Sequence, residues 1–499
     1  MSQNLTKKCI ATANAGIHVN PRVVKAQYAV RGLIPTRAKE IQKEIMDGST
    51  KYPFSELVWC NIGNPQALSQ KPLTFPRQVM SLFDAPFLLD IPAVLEHYPP
   101  DAVARAREYL KDVKNVTGAY TDSFGYTFAR KAVAKYINER DHHIRPESTY
   151  HNVVLTDGAS TGLRFILEVM MAAPTDATLT PIPQYPLYIA VLNLLDAHVA
   201  PYYLNESDGW SMTIDELVNS YNKSVSEGAT PRVFACINPS NPTGSVLPRG
   251  MMEDMVRFCH ERSLMLLADE VYQLNIHAPG LKFVSFREVI LSMPEPYKSE
   301  TMLISLNSTS KGILGECGRR GGYLEMLNIP DVVYQQLTKL CSMNLCSNVN
   351  GQLMTALMCD PPRKGDPSYE LYISEYQGIE DSLRARAALL TEEFNQIPGI
   401  KCQVVCGSMY AFPTIVLPAK WAEYNEMQNK EEGRSLKPDE RWALDLLEKT
   451  GIVVVPGSGF DQVPGTFHFR TTILPPTEKM KDVVRKMRQF QEEFFAKFG

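Results

Sequence analysis

Metal and disulfide signals are missing from this 499-residue chain: its ten cysteines include no C-x-x-C pair, and its nine histidines show no zinc-type spacing. Cysteine at this density reads as reduced thiols of an intracellular protein, and no metal site is expected. No apolar run approaches the roughly 20 residues of a membrane span. The best run, Leu264 to Ala268, stops at Asp269-Glu270, so a soluble chain with no membrane partner is expected. Positive charge is not in excess either. Against 55 Asp and Glu there are 51 Lys and Arg, a formal charge of −4, so no global field gathers polyanions and nucleic acid is not expected as a partner. A repeat of solenoid length and a G-x-x-x-x-G-K-[ST] phosphate loop are both absent.

What is present is ordinary globular material, 44% hydrophobic and 21% charged, long enough for about three domain-sized units or two large ones. Acidic residues are absent before Glu40 while Lys7, Lys8, Arg22, Lys25, Arg31, Arg37 and Lys39 are there, a bias shared with transit peptides. Little serine and no arginine before Arg22 favour a plain basic tail. A cytoplasmic location is the expectation, with a mitochondrial one as the alternative.

From about Asn152 to Leu327, short β-branched runs alternate with amphipathic stretches, the pattern of βαβ units and a largely parallel sheet. Strands are expected at Val153 to Leu155, Thr178 to Ile182, Arg232 to Ile237, Leu264 to Ala268 and Met302 to Leu306, with a helix from Leu163 to Met171. After about Met358 the character changes to charged helical periodicity, then strands around Gly451 to Gly457 and Phe467 to Arg470, then a helix from about Thr477. The charged tract between Lys420 and Trp442 reads as a solvated helix end or insertion. The expected fold class is α/β: a large domain with a mostly parallel central sheet flanked by helices, plus a smaller α+β domain. The expected division is an N-terminal arm and part of the small domain over residues 1–95, the large domain over 96–358, and the C-terminal small domain over 359–499.

In open α/β sheets ligands bind beyond the carboxyl ends of strands, and four loops there carry the chemistry. Asn238-Pro239-Ser240-Asn241-Pro242-Thr243-Gly244 is expected to be held extended by its two X-Pro steps, with Asn241 offering an amide donor; as structure alone it is a good turn. Asp269-Glu270-Val271-Tyr272 places a carboxylate and a phenol three residues apart, although a carboxylate at a strand end is often a helix cap. Asn307-Ser308-Thr309-Ser310-Lys311-Gly312 puts one lysine among small hydroxyls, with Arg320 nine residues on; the plain alternative is a surface lysine in a polar loop. Asp157-Gly158-Ala159-Ser160-Thr161 opens an expected helix, where free N–H groups and the positive dipole end bind anions.

A lysine, a carboxylate, a phenol, an amide and a phosphate cradle together suit pyridoxal 5′-phosphate. Its aldehyde joins an amine, its ring nitrogen must stay protonated, its 3′-oxygen needs a donor and its phosphate needs N–H groups, hydroxyls and an arginine. The Asn-Pro-x-Asn-Pro-Thr-Gly run, Asp-x-x-Tyr and Ser308-Thr309-Ser310-Lys311 with Arg320 follow in that order, with 28 residues from Asn241 to Asp269 and 42 more to Lys311. In this the chain resembles the fold type I aminotransferases of the aspartate aminotransferase superfamily. Tyr28-Ala29-Val30-Arg31-Gly32, Asn61-Ile62-Gly63-Asn64, Pro181 to Tyr188, Gly315-Glu316-Cys317-Gly318 and Val455 to Phe460 are most similar to its alanine aminotransferase branch.

The resemblance implies a transaminase that exchanges L-alanine and 2-oxoglutarate for pyruvate and L-glutamate, with amino acids and 2-oxo acids as small-molecule partners and a homodimer as the assembly. It implies Lys311 as the lysine joined to the cofactor aldehyde and Asp269 as partner of the ring nitrogen. By the same resemblance Tyr272 and Asn241 bond the 3′-oxygen and Tyr185 stacks on the ring. Ala159, Ser160, Ser308 and Arg320 hold the phosphate, joined by Tyr120 from the neighbouring subunit. The spacing favours Arg320 over its neighbour Arg319. Arg470 is implied as the clamp on the substrate α-carboxylate, with Gly63 and Asn241 beside the substrate. Arg31 is the candidate for the distal carboxylate of 2-oxoglutarate, a structural ion pair being its alternative. Other reactions on the same scaffold, such as kynurenine or broad-range transamination or cysteine-conjugate β-elimination, share the lysine site. A transcription regulator that kept the fold would need a basic DNA-reading module, and none is visible.

Overall fold

The computed structural model describes residues 19–26 and 32–499. The basic leader before Val19, together with Tyr28 and Arg31, lies outside the described residues.

Seven strands form the central sheet: β1 (Val153–Thr156), β2 (Asp176–Ile182), β3 (His198–Tyr203), β4 (Thr230–Ile237), β5 (Met265–Asp269), β6 (Leu303–Ser308) and β7 (Gly322–Leu327). Their order across the sheet is β1-β7-β6-β5-β4-β2-β3. The pairs from β6 through β5, β4 and β2 to β3 are parallel, while β7 runs antiparallel to both β1 and β6. A sheet of this kind is covered on both faces, so its strands are apolar throughout rather than alternating. Phe234, Cys236, Leu266, Ala268 and Leu303 face one core, and Val233, Ala235, Met265, Leu267 and Ile304 face the other. Consecutive residues go to opposite cores because side chains in a strand alternate sides.

The expected strands of the central sheet are found within two residues of their ends. The expected helix Leu163 to Met171 begins earlier, at Ala159, and runs to Met170. Two strands of the central sheet are not predicted by the sequence pattern. β3 is an edge strand that tolerates Pro201, and β7 enters the sheet against the parallel direction.

The N-terminal segment packs with the C-terminal one. Val58–Trp59 lies parallel to Ile452–Val453, and Phe469–Thr472 takes Val455–Pro456 on one side and Tyr410–Ala411 on the other. Helix Pro438–Thr450 seals that group: the Trp442 indole donates to Gln491 at 2.9 Å and packs 5.1 Å from the ring of Phe469. The charged tract is two helices, Ala419–Glu432 and Pro438–Thr450, and Lys430 to Arg434 is the exposed end of the first.

Candidate active site

β4, β5 and β6 end side by side, at Ile237, Asp269 and Ser308, and their loops open into a cavity of about 650 Å³. Gly63, Ala159, Ser160, Tyr185, Asn241, Asp269, Tyr272, Ser308, Lys311, Arg320 and Arg470 all line it. Of the residues expected at the site, Tyr120 is not among them; it is 78% exposed on this chain.

The Lys311 amine donates to the Gly63 carbonyl at 2.8 Å. Its loop is held against the N-terminal segment by Arg77, whose guanidinium forks Glu316 at 2.8 and 2.9 Å, and by the Gln70 amide on the Ile313 carbonyl at 2.7 Å. Gly63 has to be glycine, since a Cβ there would run into the Tyr410 hydroxyl and come within 3.0 Å of Lys311 Nζ.

Asp269 sits at the end of β5, almost wholly enclosed. Its carboxyl accepts from the Tyr188 hydroxyl at 3.2 Å and from the Val271 N–H at 3.4 Å. Burial pushes it up to about 6, although the Val271 N–H, the Tyr188 hydroxyl and the charge at Lys311 all act to lower it. A carboxyl raised by desolvation with so few donors calls for a cation beside it.

Two arginines in the cavity also lack counter-charges. Arg320 donates to the carbonyls of Cys317 at 3.0 Å and Asp157 at 2.8 Å, and to the hydroxyls of Ser310 at 3.4 Å and Ser160 at 3.3 Å. This leaves it over the N-terminus of the helix Ala159–Met170, where unpaired N–H groups add to the positive field. Its neighbour Arg319 turns to Glu316 instead, at 3.9 Å. Arg470, 1% exposed, donates to Asn241 Oδ1 at 3.1 Å and to the Asn61 carbonyl at 2.5 Å, while its Nε has no partner. Its guanidinium carbon lies 4.1 Å from the ring centre of Tyr410 and 4.6 Å from that of Phe460. Among the described residues neither Arg320, Arg470 nor Lys311 is ion-paired to a carboxylate. With its oxygen taken by Arg470, Asn241 has its NH₂ end left to donate.

The Asn238 to Gly244 run departs from the expected extended form. It folds back, with the Ser240 N–H on the Ser245 carbonyl at 2.9 Å and the Gly244 N–H on the Ser240 carbonyl at 3.1 Å. Pro239 and Pro242 lack N–H groups, so the turn closes through the residues between and after them, and Gly244 supplies the left-handed φ of 76° this requires.

Three contributors had not been read from the sequence. Tyr410 lines the cavity because its short strand pairs with Thr472, which sets it diagonally across from Arg470 on the neighbouring strand. Tyr188 stood in a motif without a role and turns out to hold Asp269; Ser310 helps to place Arg320. The repeat of Tyr410 and Phe412 at strand spacing is the one local signal for the first of these.

Residues 92–487 match the family described as aminotransferase class I and II, and the chain belongs to that family, whose members work with pyridoxal 5′-phosphate. It is 46% identical over 481 residues to a "Probable alanine aminotransferase, mitochondrial" of Dictyostelium discoideum, covering 95% of this chain and 88% of that one. It is 43% identical to glutamate–glyoxylate aminotransferase 2 of Arabidopsis thaliana, covering 96% of each. Among solved structures, an alanine aminotransferase from Pyrococcus furiosus superposes with a TM-score of 0.73 at 22% identity, over 95% of this chain and all of that one, a likeness of fold.

The donor set fits the cofactor. An enclosed carboxyl in want of a cation suits the ring nitrogen, and a helix N-terminus with two serines and an unpaired arginine suits the phosphate. A lysine amine bonded to one carbonyl suits the aldehyde.

Proposed function

We propose that the protein exchanges an amino group between L-alanine and 2-oxoglutarate, giving pyruvate and L-glutamate, reversibly and in two half-reactions. The observation that carries this reading is one cavity holding the Lys311 amine, the enclosed Asp269 carboxyl and an Arg470 guanidinium with no carboxylate of its own. The bound cofactor supplies an aldehyde that accepts the amino group and a protonated ring that takes up the negative charge developing at the substrate Cα.

Asp269 in its ionised form holds the ring proton in place, and Tyr188 fixes the carboxylate's direction. Ala159, Ser160, Ser308 and Arg320 hold the phosphate, Asn241 and Tyr272 donate to the 3′-oxygen, and Tyr185 covers the ring. Arg470 forks the α-carboxylate, which fixes Cα within reach of Lys311. In its neutral form Lys311 Nζ would donate to Gly63 and keep its lone pair free, and so would serve as the base that takes up the proton leaving the substrate Cα. For 2-oxoglutarate, Arg31 is the candidate partner of the distal carboxylate, tested by 2-oxoglutarate affinity in Arg31→Gln.

The same proposal includes a homodimer in which Tyr120 reaches the phosphate of the neighbouring site, the division of the chain at residues 95 and 358, and a cytoplasmic location. Mitochondria are the second location, favoured by the name of the Dictyostelium relative, and imaging of the tagged full chain separates the two. A second reaction, glutamate–glyoxylate exchange, is favoured by two Arabidopsis relatives at 43% identity. Comparing kcat/KM for pyruvate and glyoxylate with L-glutamate as donor decides which acceptor dominates.

The direct test is spectroscopic and chemical. The purified protein should be yellow, its visible band should shift on adding L-alanine, and borohydride reduction followed by digestion should label the peptide that contains Lys311. Lys311→Ala should lose turnover. A label elsewhere, or an active Lys311→Ala enzyme, removes the mechanism.

A further inference from the structure

Tyr410 has four neighbours that all belong to the cavity. Its ring centre lies 4.1 Å from the Arg470 guanidinium carbon, and that of Phe460 lies 4.6 Å from the same carbon. It meets the Tyr272 ring edge-on, centres 6.0 Å apart and planes at 82°, and the two hydroxyls share a hydrogen bond. Its hydroxyl lies against Gly63, beside the Lys311 amine. Tyr410 therefore spans the interval between the carboxylate site and the amine, the interval a substrate Cα has to occupy.

We propose that Tyr410 is a further active-site residue with two separable roles. Its ring, with Phe460, holds the Arg470 guanidinium flat for the substrate carboxylate. Its hydroxyl, bonded to Tyr272, sets the direction of the Tyr272 hydroxyl and faces the substrate beside Lys311. The substrate contact rests on the transaminase reading above, whereas the phenol pair and the ring contacts to the guanidinium do not.

The electrostatics agree with the geometry. Burial acts to raise the Tyr410 phenol, but the charges at Lys311 and Arg470 and the Tyr272 hydrogen bond outweigh it, so it lies below the ordinary tyrosine value; Cys317 opposes them slightly. Tyr272 goes the other way, raised by burial and by Tyr410.

Tyr410→Phe keeps the ring and removes the hydroxyl, while Tyr410→Leu removes both. The probe for carboxylate binding is 2-methylalanine, which has the amine and carboxylate of alanine but no Cα hydrogen. In the holoenzyme Tyr410→Phe should bind it within about twofold of wild type and Tyr410→Leu about tenfold more weakly, the loss expected for a stacked cation. With L-alanine, kcat of Tyr410→Phe should fall about tenfold or more. The phenol pair is read separately, from tyrosinate difference absorbance of the cofactor-free protein during alkaline titration. One phenol should ionise ahead of the rest, vanish in Tyr410→Phe and move to higher pH in Tyr272→Phe. An unchanged titration in Tyr410→Phe, an unchanged kcat, or equal weakening of 2-methylalanine in both variants overturns the proposal. A wild-type protein that ignores alanine yet titrates as described removes the reaction and the substrate contact and leaves the phenol pair standing.

Discussion

At the scale of single residues, the site is built from groups that the fold holds at a cost. Asp269 is the plainest case. An acid whose value in the folded protein lies above its unfolded value binds more protons folded than unfolded between the two, so its contribution to stability falls as pH rises through that window. For Asp269 the window runs from 3.8 to about 6. In the cofactor-free protein above that range, the ionised carboxyl costs up to about 3 kcal/mol. Asp269→Asn keeps the shape and loses the charge, so the cofactor-free variant should be more stable than wild type at pH 8, with the gap shrinking at pH 5. Urea unfolding at the two pH values measures it, and a gap that does not depend on pH counts against the assignment. The same variant should lose most of its turnover, because the ring proton has no anion to hold it. Arg470 makes the complementary point: its guanidinium is enclosed with amide and carbonyl acceptors alone, and a substrate carboxylate supplies the missing charge.

At the scale of elements, legibility followed chain locality. Asn241, Asp269, Tyr272 and Lys311 stand in contiguous runs at the ends of strands whose apolar pattern is plain, so both the strand and the side chain at its end could be read together. Tyr410 could not be. It enters by an antiparallel pairing with a segment some 60 residues further on, and nothing near it in sequence encodes that register. β7 stayed hidden for a similar reason, since a βαβ pattern implies parallel neighbours, and β3 was masked by Pro201 and the polar His198. The turn before the helix Ala159–Met170 was legible in composition but not in geometry. Gly158 holds a φ of 78°, and a Cβ there would come within 2.6 Å of Arg320 Nη2. Gly158→Ala should therefore cost about 1–2 kcal/mol in backbone strain and push the guanidinium out of the phosphate cradle. Affinity for pyridoxal 5′-phosphate should drop about tenfold, the loss of one good charge-assisted hydrogen bond. Equilibrium binding of the cofactor, set beside binding of inorganic phosphate, checks this. Both should weaken together, since the change is confined to the anion site.

At the scale of the whole molecule, the position of Tyr120 bears on how a complete site is assembled. The cavity gathers eleven of the expected residues from one chain, yet this tyrosine stands 78% exposed, outside it. In the proposed closed twofold dimer, Tyr120 exposed on its own chain would serve the neighbouring subunit's site, since the same patch of each subunit meets the other. Complementation distinguishes this from a surface residue with no role. Lys311→Ala has a defective lysine but an intact Tyr120; Tyr120→Ala has the reverse. In a heterodimer of the two, one site collects both defects and the other collects neither. With free subunit exchange, half the dimers are mixed and each has one whole site, so activity should approach about a quarter of wild type, well above the average of the two parents. A mixture that gives that average, with exchange verified by tagged subunits, would mean that Tyr120 acts within its own chain or not at all.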